Sequence, residues 1–458
     1  MLLRKLMSSA GLLLISSSCA LYSPQQDAQQ AIIDGVNPPT AWAASHAANT
    51  STSINWLSSF NDPLMLSLIK EGQAHNVNLR LAATNMKKAG FLAEQAGTRL
   101  KPNAEMSFSR AQSGSAAAGN SNQTINIGLS ASWELDLWGR IQAGVDTASN
   151  SAQASAADYA FAKHSLSANI AKSYLKVIEA KKQAQLTQSN VSILQKTLRI
   201  TQVKYEIGSA SEQDIALNIA NLAGAKDQQL NLETSFREAI RALEILLGRY
   251  PNASLEIASV LPHLPSQPPT DTPSNLLERR PDIIAAERRV AAAFNASAQA
   301  KAAQLPSFSL TSNVSGASNS LSDILNPSNI AWQLGTNLLA PLFDGGKRRI
   351  DIEIANIEQQ QALDDYASTA LQAFSEVESN LDLGTTLALR ESILTEALTH
   401  NEKAYRIAQL RYQEGESSLL DTLQFQQQKI SAESSLLFIH RSQLEQRLNL
   451  YLALGGGW

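Results

Sequence analysis

Two spacings of hydrophobic and polar positions alternate along this 458-residue chain, one typical of helices and one typical of strands. From Asp62 to Arg99 apolar residues recur at helical spacing, and Pro102 ends the pattern. Two later runs, 140–204 and 347–411, contain no proline. At a rise of ~1.5 Å per residue, each of these runs predicts a helix of roughly 100 Å.

The segments that follow Pro102 and Pro306 change to a period of two residues. Apolar residues take alternate positions in four stretches, which begin at Ala104, Ile125, Phe308 and Trp332. Each half of the chain therefore predicts one β-hairpin. The apolar face of such strands suits either the core of a soluble protein or the lipid side of a membrane barrel, and the alternation alone favours neither.

The two halves of the chain repeat each other at a constant offset. The stretches RITQVKYEIGSASEQD and RIAQLRYQEGESSLLD start 207 residues apart (406 − 199), and Gly208 with Gly415 and Asp214 with Asp421 keep that offset. Such regular matching predicts a tandem duplication. Glycine suits the left-handed residue that ends a helix, so Gly208 and Gly415 mark the points where two long helices turn back.

Composition excludes several classes of function. The chain has 37 Lys and Arg against 41 Asp and Glu, a net charge of −4, and no basic run that would neutralise nucleic-acid phosphates. Its six His are scattered and it has one Cys, which leaves a structural metal site without ligands. Catalysis needs titratable groups that converge in a pocket, whereas the polar residues here are spread along helices. We therefore expect no enzyme, no metal and no cofactor.

The first 18 residues predict a bacterial secretory signal. Basic Arg4 and Lys5 precede a short apolar run and small residues, and Cys19 follows directly. We predict that Cys19 is acylated and becomes the mature N-terminus, held in outer-membrane lipid. The alternative is an ordinary signal peptide in which the cysteine is incidental. No later segment reaches the ~20 apolar residues of a transmembrane helix.

The strands and helices together predict an oligomer. The secretory signal and Cys19 favour a membrane barrel for the strands. Four strands cannot close a barrel, and open sheet edges cannot lie in lipid, so several chains must share it. A long helix of modest apolar content likewise needs neighbours to cover its apolar stripe. The simplest assembly is a ring in which a strand barrel continues into a cylinder of helices.

Four short motifs resemble those of the outer-membrane efflux factor family, the TolC-like and OprM-like lipoprotein channels. They are WELDLWGR from Trp133, LLERRPDI from Leu276, PLFDGG from Pro341 and ALGGGW from Ala453. The resemblance runs from about residue 60 to the C-terminus. It implies a mainly α fold with a membrane β-barrel portion: a homotrimer with a twelve-stranded barrel, four strands per chain, and a long periplasmic helical tunnel.

The resemblance also implies a function and partners. It implies the outer-membrane channel of a tripartite efflux system, which passively conducts solutes or drugs from periplasm to exterior with a periplasmic membrane-fusion adaptor and an inner-membrane pump of the resistance-nodulation-division type. The chain would lie in the outer membrane, lipid-anchored, and extend into the periplasm. A type I protein-export channel and a non-conducting helical spacer lipoprotein are the alternatives.

The resemblance places the two helix turns at a periplasmic tip that closes like an iris. Asp421 aligns with an aspartate that lines the mouth of the lumen, where a ring of carboxylates attracts cations. The alternative is an aspartate that only complements a helix N-terminus. Asp214 and Tyr412 match positions that link neighbouring helices in the closed state. Ser417 stands where some relatives carry a gating arginine, so the latch of this chain is undefined.

The motif Arg279–Asp282 is interpreted as structural. Its proline suits the first turn of a helix and its aspartate suits the positive end of that helix. We expect its arginines to pair with Glu278 or Glu287.

The chain is predicted to comprise five segments. They are a lipoprotein signal peptide (1–18), an acylated tether (19–60), a first structural repeat (61–250), a Pro-rich connector (251–275) and a second structural repeat (276–458). Each repeat is expected to hold a helix, a β-hairpin and a long helical hairpin.

Overall fold

The computed structural model describes residues 41–44, 56–115, 120–268, 273–324 and 326–456. Cys19 and most of the predicted tether lie outside the described residues. The described chain forms two compact units. The first unit comprises residues 85–156 and 285–369, and the second comprises the described residues of 38–84, 157–284 and 370–456. Both units therefore take segments from both halves of the chain.

Eight α-helices and four β-strands make up the described chain, with short 3₁₀ turns at Trp56–Phe60 and Pro327–Asn329. The helices are α1 (Pro63–His75), α2 (Val77–Thr98), α3 (Arg140–Glu206), α4 (Glu212–Leu247), α5 (Pro273–Arg279), α6 (Pro281–Ala302), α7 (Lys347–Glu414) and α8 (Leu419–Ala453). The strands are β1 (Asn103–Ser115), β2 (Asn120–Leu135), β3 (Ser307–Ser318) and β4 (Ile330–Leu339). Among the helices of the described ranges, none combines the length and apolar content needed to cross a membrane.

The long helices occur where the proline-free runs predict them, since α3 and α7 begin 207 residues apart (347 − 140). The single helix predicted between Asp62 and Arg99 is wrong, because Asn76 divides it. Asn76 is extended, with ψ of 128°, and its side-chain oxygen accepts the N–H of Leu79 at 2.9 Å. Its amide nitrogen donates to the carbonyl of Leu246 at 2.9 Å. Asn side chains often compete in this way with helical hydrogen bonds.

The four strands form one antiparallel sheet in the order β1-β2-β3-β4. Each half of the chain supplies one hairpin, and β2 pairs with β3 from Ile125↔Ser318 to Leu135↔Phe308. The register puts apolar residues opposite one another on one face, as in the row Met106, Leu129, Val314 and Trp332. Small and polar residues share the other face. Within the described chain, β1 and β4 are paired on one side only.

The main core lies in the second unit, where α1, α3, α4 and α8 meet. Its fully buried side chains include Met65, Tyr174 and Leu243. The Tyr174 hydroxyl donates to Asp62 at 2.8 Å, which satisfies a polar group that the core excludes from water. Burial, followed by this contact with Asp62, raises the pKa of Tyr174.

The segment after α4 is held by one buried carboxylate. Glu244 is 1% exposed and accepts the backbone N–H groups of Ala253, Ser254 and Leu255 at 2.8, 2.9 and 3.2 Å. Backbone donors of this kind stabilise a buried carboxylate without a cationic partner. The start of the Pro-rich segment is thereby fixed to α4.

Arg280 is a buried side chain that links α6, α7 and α8 in the second unit. Its side chain is 4% exposed and makes two hydrogen bonds to Asp282, at 2.6 and 3.1 Å. It also donates to Glu376 at 2.7 Å and to the Ala453 carbonyl at 3.1 Å. For Arg280, the predicted pairing with Glu278 or Glu287 is therefore wrong. The proline of the motif does start α6, as expected.

Candidate functional site

The candidate site is built on the two turns that join the long helices. Gly208 ends α3 with φ of +77°, and Gly415 ends α7 with φ of +87°. After Gly208 the N–H of Ser209 bonds to the Lys204 carbonyl at 2.7 Å, and after Gly415 the N–H of Glu416 bonds to the Arg411 carbonyl at 2.8 Å. These bonds close helix ends in which only glycine avoids backbone strain.

The helices that leave the turns are capped by serine and aspartate. At the first turn the N–H of Asp214 donates to the Ser211 hydroxyl at 3.1 Å, and the N–H of Ser211 donates to the Asp214 carboxylate at 2.8 Å. At the second turn the N–H of Asp421 donates to the Ser418 hydroxyl at 3.1 Å, and that hydroxyl bonds to the carboxylate at 2.7 Å. The first turn is a complete capping box. The hydrogen bonds of Asp214 thus lie within its own turn.

Asp421 is both a helix cap and an exposed charge. Hydrogen bonds from Ser418, with a further one from Ser417 at 3.3 Å, lower the pKa of Asp421 below its ordinary value. Its carboxylate is fully exposed and ionised at neutral pH. The geometry thus accounts for Asp421 as a helix cap, which is the alternative interpretation, and leaves its charge available to solvent.

Tyr412 connects α7 to α3 and α4. It is 7% exposed, and its hydroxyl lies 2.9 Å from the Thr201 hydroxyl. Thr201 donates its only proton to the Thr197 carbonyl at 3.0 Å, so Tyr412 must be the donor in this pair. Asn218 of α4 donates to the same Thr201 oxygen at 3.1 Å. Burial raises the pKa of Tyr412 and outweighs the opposing effect of the Thr201 hydroxyl, and the charge of Asp214 adds to the rise, so the phenol keeps its proton.

Lys204 completes this group. Its ammonium donates to the Tyr412 carbonyl and lies 4.4 Å from the centroid of the Tyr412 ring. A cation over an aromatic ring at this distance is attracted to it. We name the four residues Thr201, Lys204, Asn218 and Tyr412 the turn cluster. Sequence reasoning identified Tyr412 but missed the other three, although the spacing of Thr201 and Lys204 places them on one face of α3.

Apolar side chains lie beside the turn cluster and keep water from it. Leu194, Leu222, Leu419 and Leu423 are all buried with Tyr412 in one small core. Hydrogen bonds that are shielded in this way are stronger than exposed ones. No group of His, Cys, Asp and Glu able to hold a metal ion occurs in the described part of the chain.

Comparison with known proteins gives consistent matches. Residues 68–249 and 272–456 match the outer membrane efflux protein family. The chain is 30% identical to the pyoverdine export outer membrane protein OpmQ of Pseudomonas aeruginosa, over 99% of this chain and 98% of that protein. It is 29% identical to the cation efflux system protein CusC of Escherichia coli O6:H1, over 90% of each.

A crystal structure of CusC superposes with a TM-score of 0.84, 26% identity and coverage of 92% of this chain and 97% of that one. This match confirms the predicted fold class, a mainly helical channel subunit with four strands. The chain belongs to the outer membrane efflux protein family and is the outer-membrane channel component of an efflux system.

Proposed function

We propose that three copies of this chain form a passive, lipid-anchored duct, the outer-membrane part of a tripartite pump, whose periplasmic mouth is closed by the two helix turns. The family membership carries the proposal, and the sheet supports the stoichiometry. One chain offers a four-stranded sheet with two unpaired edges, and three chains would supply 3 × 4 = 12 strands. Pairing β1 of one copy with β4 of the next leaves no open edge in lipid.

The two faces of the sheet support the orientation of the duct. The apolar row that contains Met106 and Trp332 would face lipid, since these side chains are 78% and 79% exposed in the single chain. The opposite face, with Ser107, Gly128 and Asn313, would line water. Such alternation is typical of membrane barrels with a polar interior.

The turn cluster is proposed as the latch of the mouth. It joins the helical hairpin α3–α4 to α7 by hydrogen bonds that would break if α7 and α8 moved away. Lys204 would provide the cationic contact that Ser417 cannot supply. Asp421, exposed beside Ser418 at the start of α8, would add one carboxylate per chain to a ring at the mouth and favour cations there.

The five predicted segments and the partners belong to the same proposal. Acylated Cys19 and a tether to residue 60 would hold the duct in the membrane, and two structural repeats (61–250 and 276–458), joined by a Pro-rich connector (251–275), would form its wall. A periplasmic membrane-fusion adaptor and an inner-membrane pump of the resistance-nodulation-division type would load it. Transport through such a duct requires no catalytic residue.

The cargo is proposed to be small solutes. Relatives of nearly equal identity are named for pyoverdine and for cations, so overall identity does not select between them. A type I protein-export channel would use the same architecture, and a helical spacer would not need two membrane-compatible hairpins.

Single-channel recording in planar bilayers tests the duct. Wild type is compared with Asp421→Asn, which keeps an oxygen for the Ser418 cap and removes only the charge, and with Asp382→Asn, an exposed acid of α7, as control. We expect cation-selective pores whose selectivity falls only in Asp421→Asn. Mass spectrometry of the mature N-terminus tests acylation of Cys19. A trimer that conducts neither as wild type nor with Tyr412 replaced would refute the duct.

A further inference from the structure

A basic cavity lies in the first unit, where the strands give way to helices. It has a volume of about 800 Å³. The C-terminal end of α2, the first residue of β1, the last residues of β2, the first turns of α3 and Gln299 of α6 line it. Its basic side chains are Arg99, Lys101 and Arg140, and we call it the basic cavity.

The basic cavity opens on the polar face of the sheet. Asn103 of β1 pairs with Ser132 of β2, and both line the cavity together with Glu134. Their neighbours Ala104 and Trp133 point to the apolar face, because side chains alternate along a strand. In the proposed duct the polar face lines water, so the cavity would be reached from the channel interior.

Two of the three cations in the basic cavity form no ion pair within the described part of the chain. Arg140 forms an ion pair with Glu134 at 2.7 Å, and the nearby Glu105 accepts a hydrogen bond from Asn103 at 2.9 Å. The side chains of Arg99 and Lys101 are exposed and make no ion pair or hydrogen bond with other described residues. The charged ends of Arg99 and Lys101 are therefore accessible from the cavity and from solvent.

The backbone that carries these two cations is held in place. The indole N–H of Trp133 donates to the Leu100 carbonyl at 3.0 Å, and the N–H of Lys101 donates to the Thr98 carbonyl at 3.0 Å. Leu92 and Val145 add apolar wall to the cavity. Arg99 and Lys101 are thus presented from a fixed turn beside an apolar surface.

The duplication shows that this pair of cations is not demanded by the fold. Pro102 and Pro306 are equivalent with an offset of 204 (306 − 102) instead of 207, because the segment from Pro306 to Gly346 is three residues longer than that from Pro102 to Gly139. Ala303 and Leu305 are therefore the counterparts of Arg99 and Lys101. The second repeat builds the same helix-to-strand connection without either charge. A role in binding explains the difference better than a role in folding.

We propose that the basic cavity is a binding station for organic carboxylates that pass through the duct. This inference rests on the proposed function, because it takes the polar face as the channel interior. A guanidinium binds a carboxylate through two parallel hydrogen bonds, and an ammonium adds a compact charge. Leu92 and Val145 suit an apolar body on the same molecule, and the volume lies within the range of small-molecule sites.

The test is a fluorescence titration of the purified detergent-solubilised channel with naphthalene-2,6-dicarboxylate, a water-soluble dianion. Wild type is compared with Arg99→Gln/Lys101→Gln. The control is Lys87→Gln/Lys88→Gln, which removes the same charge from exposed positions on α2, the helix that precedes Arg99 and Lys101. The neutral probe 2,6-naphthalenedimethanol measures apolar binding alone. Size-exclusion chromatography checks that each variant remains assembled.

We expect saturable dianion binding that salt weakens, and that falls by about tenfold or more in the double variant, since two charge-assisted contacts are lost. The control variant should bind like wild type, and the neutral probe weakly. Equal affinity in the double variant, or equal binding of the neutral probe, would overturn the station. If the double variant fails to assemble, Arg99→Gln and Lys101→Gln are tested singly, and each must still weaken binding.

Bilayer conductance distinguishes the proposed binding station from the proposed duct on which it rests. Dianion binding that depends on Arg99 and Lys101 in a protein that never conducts would retain the site and refute the duct. Conductance with no such binding would retain the duct and refute the station.

Discussion

Replacing Tyr412 by Phe should loosen the mouth of the channel, because the change removes one hydroxyl and leaves the buried ring in place. In the structure that hydroxyl donates to Thr201 across 2.9 Å. Thr201 keeps its own bond to the Thr197 carbonyl, and its oxygen still receives Asn218. The substitution therefore strands no buried donor or acceptor, and its cost is that of a single hydrogen bond.

The expected magnitude follows from that count. One neutral hydrogen bond contributes about 1 kcal/mol, so each chain should open about fivefold more readily. If three chains open together, the losses add to about 3 kcal/mol, which is more than a hundredfold. The size of the effect thus also reports whether the mouth opens one chain at a time or as a unit.

Open probability in planar bilayers measures this effect. Tyr405→Phe is the matched control, because Tyr405 is also a buried tyrosine of α7 and its hydroxyl has no hydrogen-bond partner in the described part of the chain. Tyr412→Phe should open more often than wild type, and Tyr405→Phe should not. Open probabilities that match wild type in both variants would show that the hydroxyl does not hold the mouth closed.

Three further predictions concern stability, each measured by unfolding in detergent. Gly248→Ala should lower the free energy of unfolding by about 2 kcal/mol or more, since φ is +76° and a Cβ would lie 2.6 Å from a carbonyl oxygen. Gly224→Ala is the matched control, because the space around Gly224 is open, and it should raise the free energy of unfolding by about 0.5–1 kcal/mol. Burial, then Lys163, lowers the pKa of His164 from 6.5 to about 4. As the pH is lowered, the unfolded chain therefore binds a proton at His164 before the folded chain does. The free energy of unfolding should decrease as the pH falls from 6.5 to 4, and it should decrease less in His164→Gln. Arg280→Met should lower the free energy of unfolding by about 3 kcal/mol, because it leaves two carboxylates without their ion-pair partner. Arg280→Lys should restore only part of that stability.

Local signals made the long elements predictable. Two local signals predict the helices α3 and α7. They are the absence of proline over 140–204 and 347–411 and the glycine at each turn. The break at Asn76 could not be predicted, because its amide is held by a carbonyl 170 residues away. Distance along the chain explains only part of the failure at Arg280, since Asp282 lies two residues away but Glu376 and Ala453 lie 96 and 173 residues away. Local pattern carries no information about such partners.

The residues of the turn cluster are only partly shared between the two repeats. Tyr205 occupies the position equivalent to Tyr412 (412 − 207), yet it is 46% exposed while Tyr412 is 7% exposed. The equivalents of Thr201 and Asn218 are Ala408 and Phe425, which offer neither hydroxyl nor amide.

The caps and glycines are kept in both copies because every helix turn needs them. The polar partners occur once, because only one tyrosine is buried against the neighbouring hairpin. The shared glycines and cap residues are therefore explained by the turns themselves. A residue present in only one repeat, such as Thr201, Asn218 or the basic pair Arg99 and Lys101, is where this channel's own gating and selectivity should be sought.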